Sequence, residues 1–462
     1  MAKRNLELHI YNDAWMEMIS LHALDAALNS PVRYRTIRKP DRKKTSSRHD
    51  SSENARHTYI AYQFRGYPSA EQEAFLKQNI GSCRFLWNRM FADRKAVIVD
   101  TGKDSLRPRP AQYKDEFPWL RNADSFGLCN VQLSLERTFS SWKSGKCGFP
   151  KFKKKHACRD SYTTNHSTNS SNLSLGKNGL RLPKIPGLIR VTCHRKILPG
   201  GILKSVTVSH EPDGKWLFSL LFEYPAEERA DFPDWIREFS ESGDLSGIRC
   251  IGLDMSLPHL YVDSNGNFPF YTLGGKNGSV VPFDKCYRKL EKKIAHEQRK
   301  LSHMVKGSHN YEKQLVRIAS LHAKAKHARR DFLRQMAARL SRQYHLICIE
   351  DLDMRAMKQA LKFGKSVSDN GWSMFIVFLE AACEKTGSLV IRVSKWFPSS
   401  KRCSRCGFVR HDLKLNERTY VCPECGSVMD RDAQAAVNIR EEGLHLFADI
   451  FDPGRHVKMM PA

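Results

Sequence analysis

Residues 346–351 read Leu346-Ile347-Cys348-Ile349-Glu350-Asp351, four apolar residues closed by two acids. A run that is apolar at every position, and not merely at alternate ones, belongs to a strand covered on both faces, as in the middle of a sheet flanked by helices. Glu350 then falls where the strand ends and the sheet meets solvent. Upstream, IRCIGLDMS (248–256) repeats the pattern, with Ile251, Gly252 and Leu253 leading into Asp254. If the two strands are parallel neighbours, Asp254 and Glu350 stand side by side at one edge, while Asp351 points to the opposite face by the strand period of two. Buried acids at strand ends are ligand candidates for hard divalent cations, which take oxygen donors.

The neighbouring segments fill in the sheet. LYVDSNG (260–266) reads as a second strand closing in a turn, with Asp263 as the turn former. FPFYTL (268–273) reads as a third, which would complete an antiparallel meander. Residues 284–343 read as long helices with Leu290, Ile294 and Leu301 on one face and dense Lys, Arg and His elsewhere. A helix near 371–386 and another apolar strand, LVIRVS (389–394), follow. Three antiparallel strands and then strand–helix alternation resemble the RNase H fold. A third acid, Asp432 in DRDAQAAVNI (430–439), opens a helix whose N-terminus can lie against the same edge. Two-metal phosphodiester chemistry needs several carboxylates converging on two Mg2+ ions about 4 Å apart. Asp351, Asp353 and Asp430 are rival ligands beside the three acids.

Between the second and third acids lie Cys403-x-x-Cys406 and Cys422-x-x-Cys425, fifteen residues apart, each pair followed by a glycine, Gly407 or Gly426. Two knuckles of this spacing match a zinc ribbon, and four thiolates leave no open position for water, so the one Zn2+ is structural. His411 is a spare. The other nine of the thirteen cysteines are scattered singly, which suits reduced thiols in a cytoplasmic protein, with Cys83, Cys129, Cys348 and Cys383 as small core residues.

The 462 residues suffice for two to four domains, and 76 Lys plus Arg against 49 Asp plus Glu give a formal charge of +27. Such an excess points to a polyanionic partner. A membrane surface is the competing partner, but no run of eighteen apolar residues and no isolated basic amphipathic helix is present, so nucleic acid is favoured. Glu7, His9, Asn12 and Asp13 interrupt any apolar core of a secretory signal. Residues 1–56, charged and Ser-rich at their end, read as a flexible basic extension.

TYIAYQFRGY (58–67) alternates as a strand, and Pro68-Ser69 opens a helix with Phe75, Ile80, Phe85, Leu86 and Met90 on its apolar face, leaving Lys77, Arg84, Arg89, Arg94 and Lys95 for other surfaces. A second helix is expected over 125–143, so residues 68–146 form a helical recognition lobe. GKCGFPKFKKKH (145–156) interleaves aromatic rings with Lys151, Lys153, Lys154 and Lys155, suiting phosphate neutralisation and base stacking alike. Strand signals then run to Tyr224, giving a small β-barrel or curved sheet that takes in 57–67 if that strand belongs to it. The acidic stretch 226–246 reads as a linker.

GLDMS, ARRDFLRQMAARL, ICIEDLDMRAM, DNGWSMF, FPSSKRCSRCG, CPECG and DRDAQAAVNI, with YPSAEQ, GSCRFLWN and GFPKFKKK upstream, together resemble the TnpB family of RNA-guided nucleases, to which the compact type V CRISPR effectors are related. The likeness covers roughly residues 57–440. It implies an α+β multidomain protein. Residues 247–399 and 429–445 would form an RNase H-like (RuvC) nuclease domain with catalytic, Mg2+-binding Asp254, Glu350 and Asp432. Residues 400–428 would be the inserted zinc ribbon that binds target nucleic acid, and residues 446–462 a tail. Residues 57–67 and 147–225 would form a wedge β-barrel, carrying the helical recognition insertion at 68–146. It further implies a prokaryotic setting, a guide RNA from a CRISPR array or a transposon end, and a double-stranded DNA target, the protein itself reading only a short motif on the duplex. Lys77, Gln78, Arg84 and Asn88 are the candidates for that motif. Two departures from the family pattern stand out: Gln434 occupies a position where Asn is usual, and Asp254-Met255-Ser256 stands where Gly is common after the hydrophobic residue.

Three activities fit these features. An RNA-guided, Mg2+-dependent DNA endonuclease leads; a guided DNA-binding repressor would have lost one or more of the acids, and all three are present. A strand-transfer transposase could use the same fold and metals.

Overall fold

The computed structural model describes residues 57–155, 160–167, 172–225, 233–256, 259–267, 270–272, 280–282, 286–352, 371–414 and 417–451. The basic extension at 1–56 and Asp353 lie outside them. The chain is a multidomain α+β protein with two compact units, His49–Glu227 in one and Glu228–Ala462 in the other. Among the described residues no helix is long and apolar enough to cross a membrane.

The first unit runs β1 (His57–Tyr67), α1 (Ala70–Thr101), α2 (Pro110–Glu116), α3 (Ser125–Lys143), β2 (Asp160–Asn165), β3 (Ser174–Gly176), β4 (Gly179–Arg181), β5 (Arg190–Thr192), β6 (Ile202–His210) and β7 (Trp216–Pro225). β1 pairs antiparallel with β7 from His57 opposite Pro225 to Gly66 opposite Trp216, so the strand before the helices joins those after them. The sheet order is β2-β6-β7-β1-β5, with β3 and β4 a separate hairpin. Among the described residues no β2–β5 pairing closes this sheet into a barrel.

Ser69 and Gln72 cap α1 reciprocally: Gln72 N donates to Ser69 Oγ at 3.2 Å, and Ser69 N donates to Gln72 Oε1 at 3.0 Å. The buried stripe of α1 is Leu76, Ile80, Cys83, Leu86, Trp87, Met90, Phe91 and Arg94. Phe75 lies about 100° round the helix from Leu76 and is exposed, contrary to expectation. Arg94, expected on an outer surface, is 1% exposed. It is held by Asp104 at 2.6 Å and Glu136 at 3.1 Å, with its guanidinium 3.8 Å from the Phe139 ring centre. The hydrogen bond from Arg94 keeps the Asp104 carboxyl well below the usual range. A buried guanidinium is tolerable because each charge is paired. Cys83, Cys348 and Cys383 are core residues, but Cys129 is exposed.

The second unit comprises α4 (Asp234–Ser242), β8 (Cys250–Ser256), β9 (Leu260–Asp263), β10 (Phe270–Thr272), β11 (Val280–Pro282), α5 (Cys286–Ser302), α6 (His309–Gln343), β12 (Leu346–Glu350), α7 (Trp372–Thr386), β13 (Leu389–Val393), β14 (Thr419–Val421), β15 (Val428–Asp430) and α8 (Arg431–Phe451). Its main sheet has the order β13-β12-β8-β9, with β13, β12 and β8 parallel and β9 antiparallel at the edge. Among the described residues the expected three-stranded meander is not found: β10 pairs antiparallel with β11 in a two-stranded sheet of its own. Ile251, Leu253, Ile347 and Ile349 pack on one face against Phe332, Leu333 and Met336 of α6 and Phe375 and Leu379 of α7. Leu346, Cys348, Ile391 and Val393 form the other face, under Ile439 and Phe447 of α8 and Ile236 and Phe239 of α4.

Two boundaries differ from the sequence reading for the same reason. Within 226–246, taken as linker, α4 buries Ile236 and Phe239, and the acids around them lie on its outer side. Beyond residue 445, taken as the start of a tail, α8 continues and buries Leu446, Phe447, Ile450 and Phe451. In both places an apolar stripe at helical spacing belongs to the core.

Candidate active site and metal centre

The parallel register pairs Ile349 with Leu253, so the next residues, Glu350 and Asp254, are neighbours at the strand ends. Alternation fixes their side. Asp254 shares a face with Gly252, and Glu350 with Cys348. Both smaller residues lie directly beneath α8. A Cβ on Gly252 would stand 2.0 Å from the Ala436 carbonyl oxygen, and a Cβ on Gly443 would stand 2.1 Å from Cys348 Sγ. At these two points the helix comes close to the strands because a glycine leaves room, and its first turn carries Asp432 to the same end.

The electrostatics follow from this proximity. Burial pushes the Asp254 carboxyl well above its ordinary value, and the charges of Glu350 and Asp432 push it further, against a smaller opposing effect of Arg431. Burial raises Glu350 to about 7. Clustered acids that resist ionisation are a natural donor set for divalent cations, whose charge removes the repulsion. The rivals are otherwise engaged. Asp351 pairs with Arg392 at 3.0 Å, and Arg392 also holds Glu380 at 2.8 Å. Asp430 caps α8, accepting from Asp432 N at 3.0 Å and Ala433 N at 2.9 Å. Asp263 accepts from Asn265 N and Asn267 N, both at 2.9 Å, as a turn former does. Asp432 itself lies 3.3 Å from Arg418.

Cys403, Cys406, Cys422 and Cys425 form a zinc-ribbon-like cluster, with all four Sγ atoms within 4.8 Å of one another. The Cys403–Cys425 and Cys406–Cys422 separations are 3.7 and 3.5 Å. Tetrahedral Zn–S bonds of about 2.3 Å require edges of about 3.8 Å. The donor set therefore fits Zn2+, while His411 stays outside it and the three acids form no equally tight group. Each knuckle closes on a left-handed glycine, Gly407 at φ 79° and Gly426 at φ 68°. Ser427 Oγ lies 3.3 Å from both Cys403 Sγ and Cys425 Sγ. Burial works to raise Cys403, but Ser427 and the N–H groups of Cys406 and Arg405 outweigh it and bring the thiol to about 6.

Sequence reasoning missed Ser427 and Asn438. The Asn438 carboxamide is buried and donates to the Ser399 and Arg402 carbonyls at 2.7 and 2.6 Å, tying the base of the ribbon to the helix that bears Asp432. A polar residue one turn after Gln434, on the buried side of an amphipathic helix, was the available signal.

In the first unit, Lys77 and Gln78 are exposed on α1, Lys77 beside Glu73 at 2.6 Å. Arg84 is tied to Asp160 at 2.8 Å. Asn88 grips the Lys153 backbone, donating to its carbonyl at 2.9 Å and accepting from its N–H at 2.7 Å. Asn88 thus braces the Lys-rich segment, and Arg84 is tied to β2. Lys151, Lys154 and Lys155 are exposed, and Lys153 Nζ lies 3.7 Å from the Trp87 ring centre. Phe91, Lys95, Phe149, Lys151, Phe152 and Lys154 are among the residues lining an open cleft of about 500 Å3.

Three families match successive parts of the chain: a "Helix-turn-helix domain" at 58–103, a "Probable transposase" at 246–361 and a "Cas12f1-like, TNB domain" at 372–439. The first spans β1 and α1, a strand and one unbroken helix. The second contains Asp254 and Glu350, and the third the four cysteines and Asp432. The "Putative RNA-guided DNA endonuclease" of Streptomyces pristinaespiralis is 29% identical over 393 residues, covering 83% of this chain and 89% of its own. The "Putative RNA-guided DNA endonuclease InsQ" of Escherichia coli (strain K12) is 26% identical over 424 residues, covering 87% and 97%. Among solved structures, the "Cryo-EM structure of the Cas12f1-sgRNA-target DNA complex" aligns with 84% of this chain and 99% of its own, at 12% identity and a TM-score of 0.47. Most of the chain is thus similar to relatives named as putative RNA-guided DNA endonucleases, and IS605-type transposase and Cas12f1-like TNB domain models match it in succession.

Proposed function

We propose that this protein is an RNA-guided DNA endonuclease that hydrolyses phosphodiester bonds at one Mg2+-dependent carboxylate centre. The observation that carries this is the convergence of Asp254, Glu350 and Asp432 from three remote segments, with Asp254 raised by burial and then by the charges of the other two. The names of the relatives agree. Three parallel strands with an antiparallel edge strand and helices on both faces support an RNase H-like (RuvC) domain over 247–399 and 429–445, interrupted by the ribbon at 400–428. The β1–β7 pairing supports a wedge domain of 57–67 and 147–225 with the helical recognition lobe 68–146 inserted.

Asp254, Glu350 and Asp432 would hold two Mg2+ ions, which when bound supply charge to activate a water and stabilise the leaving oxygen. The acids must shed their protons on binding, so occupancy rises with pH through the Glu350 value of about 7. The four cysteines would hold one structural Zn2+. The guide RNA, CRISPR-derived or transposon-derived, and the double-stranded DNA target would be gripped through their phosphates. Lys77 and Gln78 on α1 and Lys151, Lys153, Lys154 and Lys155 around the aromatic cleft are the proposed contacts.

The test is to purify the chain with its RNA, sequence that RNA and challenge the complex with matching duplex. Cutting that needs the RNA, the match and Mg2+ is expected; RNA-independent cutting, or none, would overturn the proposal. The "Probable transposase" match favours a second reading, strand transfer by the same acids. A protein that purifies free of RNA and joins transposon ends would establish it.

A further inference from the structure

β13 ends at Val393, the strand partner of Glu350. Neighbouring strands lie about 4.8 Å apart. Trp396 follows three residues later, and even a fully extended segment of that length spans no more than about 11 Å. The segment therefore starts at the carboxylate edge and cannot leave its vicinity. Trp396 is 83% exposed, the most exposed large hydrophobic side chain among the described residues. Packing gives it no role.

The backbone beneath it is well anchored. Trp396 N donates to Ser394 Oγ at 3.3 Å, and Phe397 N to the Ser394 carbonyl at 2.9 Å. Phe397 packs on the core under α8, and Asn438 grips Ser399 and Arg402 just beyond. One cation lies against the ring, Lys395 Nζ at 5.1 Å from its centre, and two more come later in the chain, with Lys401 donating to the His411 carbonyl and Arg402 over the Phe397 ring. An exposed indole with a lysine against its ring, on an anchored loop that starts at the edge bearing three acids, has the makeup of a base-stacking site.

We propose that Trp396 is a stacking platform for an unpaired base of the DNA strand lying in the carboxylate centre, with Lys395 against a neighbouring phosphate. This rests on the endonuclease reading of that centre. Bases inside a duplex have both faces covered, so the platform takes single-stranded DNA and orients it a few nucleotides from the bond to be cut.

The experiment uses the full chain with its RNA. In an Asp254→Ala background, which removes cutting, the affinity for a short labelled single-stranded DNA unrelated to the guide is measured for Trp396, Trp396→Ala and Trp396→Phe. The alanine variant should bind roughly 5- to 100-fold more weakly, the range expected for one stacked base. Phenylalanine should restore most of the loss, as a purely structural role would not predict. With the acids intact, Trp396→Ala should slow cutting while RNA content and duplex binding stay unchanged. Equal single-strand binding by Trp396 and Trp396→Ala would overturn the proposal. So would lower RNA content in the alanine variant, which would make the guide the occupant. If the parent protein never cuts, the endonuclease reading fails, and the binding measurements still decide the platform.

Discussion

The two candidate metal centres of the second unit are built in opposite ways. The cysteine quartet is local: its ligands lie within residues 403–425, and its small apolar core is Leu413 and Tyr420 with two of the cysteines themselves. The carboxylate centre is assembled from β8, β12 and α8, segments far apart in sequence, and each is fixed by a core that extends well away from the acids. In the ribbon a bound metal would supply much of what holds the fold together. At the sheet edge the fold holds groups whose charges oppose one another. Removing a ligand should therefore cost structure at the first centre and function at the second.

The largest expected effect tests that contrast directly. Asp254→Ala or Glu350→Ala should reduce cutting by about 1,000-fold or more, with guide and target binding retained. Full cutting by either variant in a nuclease assay would remove the residue from the centre.

Cys403→Ser should give the complementary outcome, lowering zinc from one per chain and exposing the amides of 400–428 to hydrogen exchange. Unchanged zinc content by elemental analysis would sink the assignment.

The third effect is a pH dependence of stability. The folded-state value of Glu350, about 7, lies above its ordinary 4.5, and Asp254 is raised as well. Folded protein therefore holds protons that unfolded chain has lost, and in chelator stability should fall as pH rises from about 4.5 through 7. Glu350 accounts for about 2–3 kcal/mol of this, and Glu350→Gln should remove its share in urea titrations at pH 5 and 8. A parent protein equally stable at both pH values would show that burial does not hold Glu350 protonated.

Asn438→Ala is the smallest of the four. It leaves two carbonyls without their buried donor and should destabilise the ribbon's attachment by about 1–3 kcal/mol. Proteolysis near residue 400 would report it, and a cleavage pattern like the parent's would show the ribbon to be held by other contacts.

How far the sequence disclosed all this follows from how each feature is encoded. LICIED and IRCIGLDMS showed their burial and their terminal acids because strand periodicity is written in adjacent residues. The cysteine spacing was legible for the same reason. FPFYTL looked like a strand, and Phe270–Thr272 within it form one, yet their partner is Val280–Pro282, and pairing is not a local property. Arg94 and Asn438 were read past because nothing near them in sequence announces the buried partners Asp104, Ser399 and Arg402. Gly252 and Gly443 have meaning only once a helix lies on the sheet.

The bonds from Asn438 to Ser399 and Arg402 set a rule for exchanging parts among relatives. A ribbon transplanted at residues 400–428 brings its own metal and knuckles, but Ser399 lies outside that cassette and Arg402 inside it. The hinge is thus split across the obvious cut site, and a chimera that moves the junction to residue 398 carries both carbonyls together.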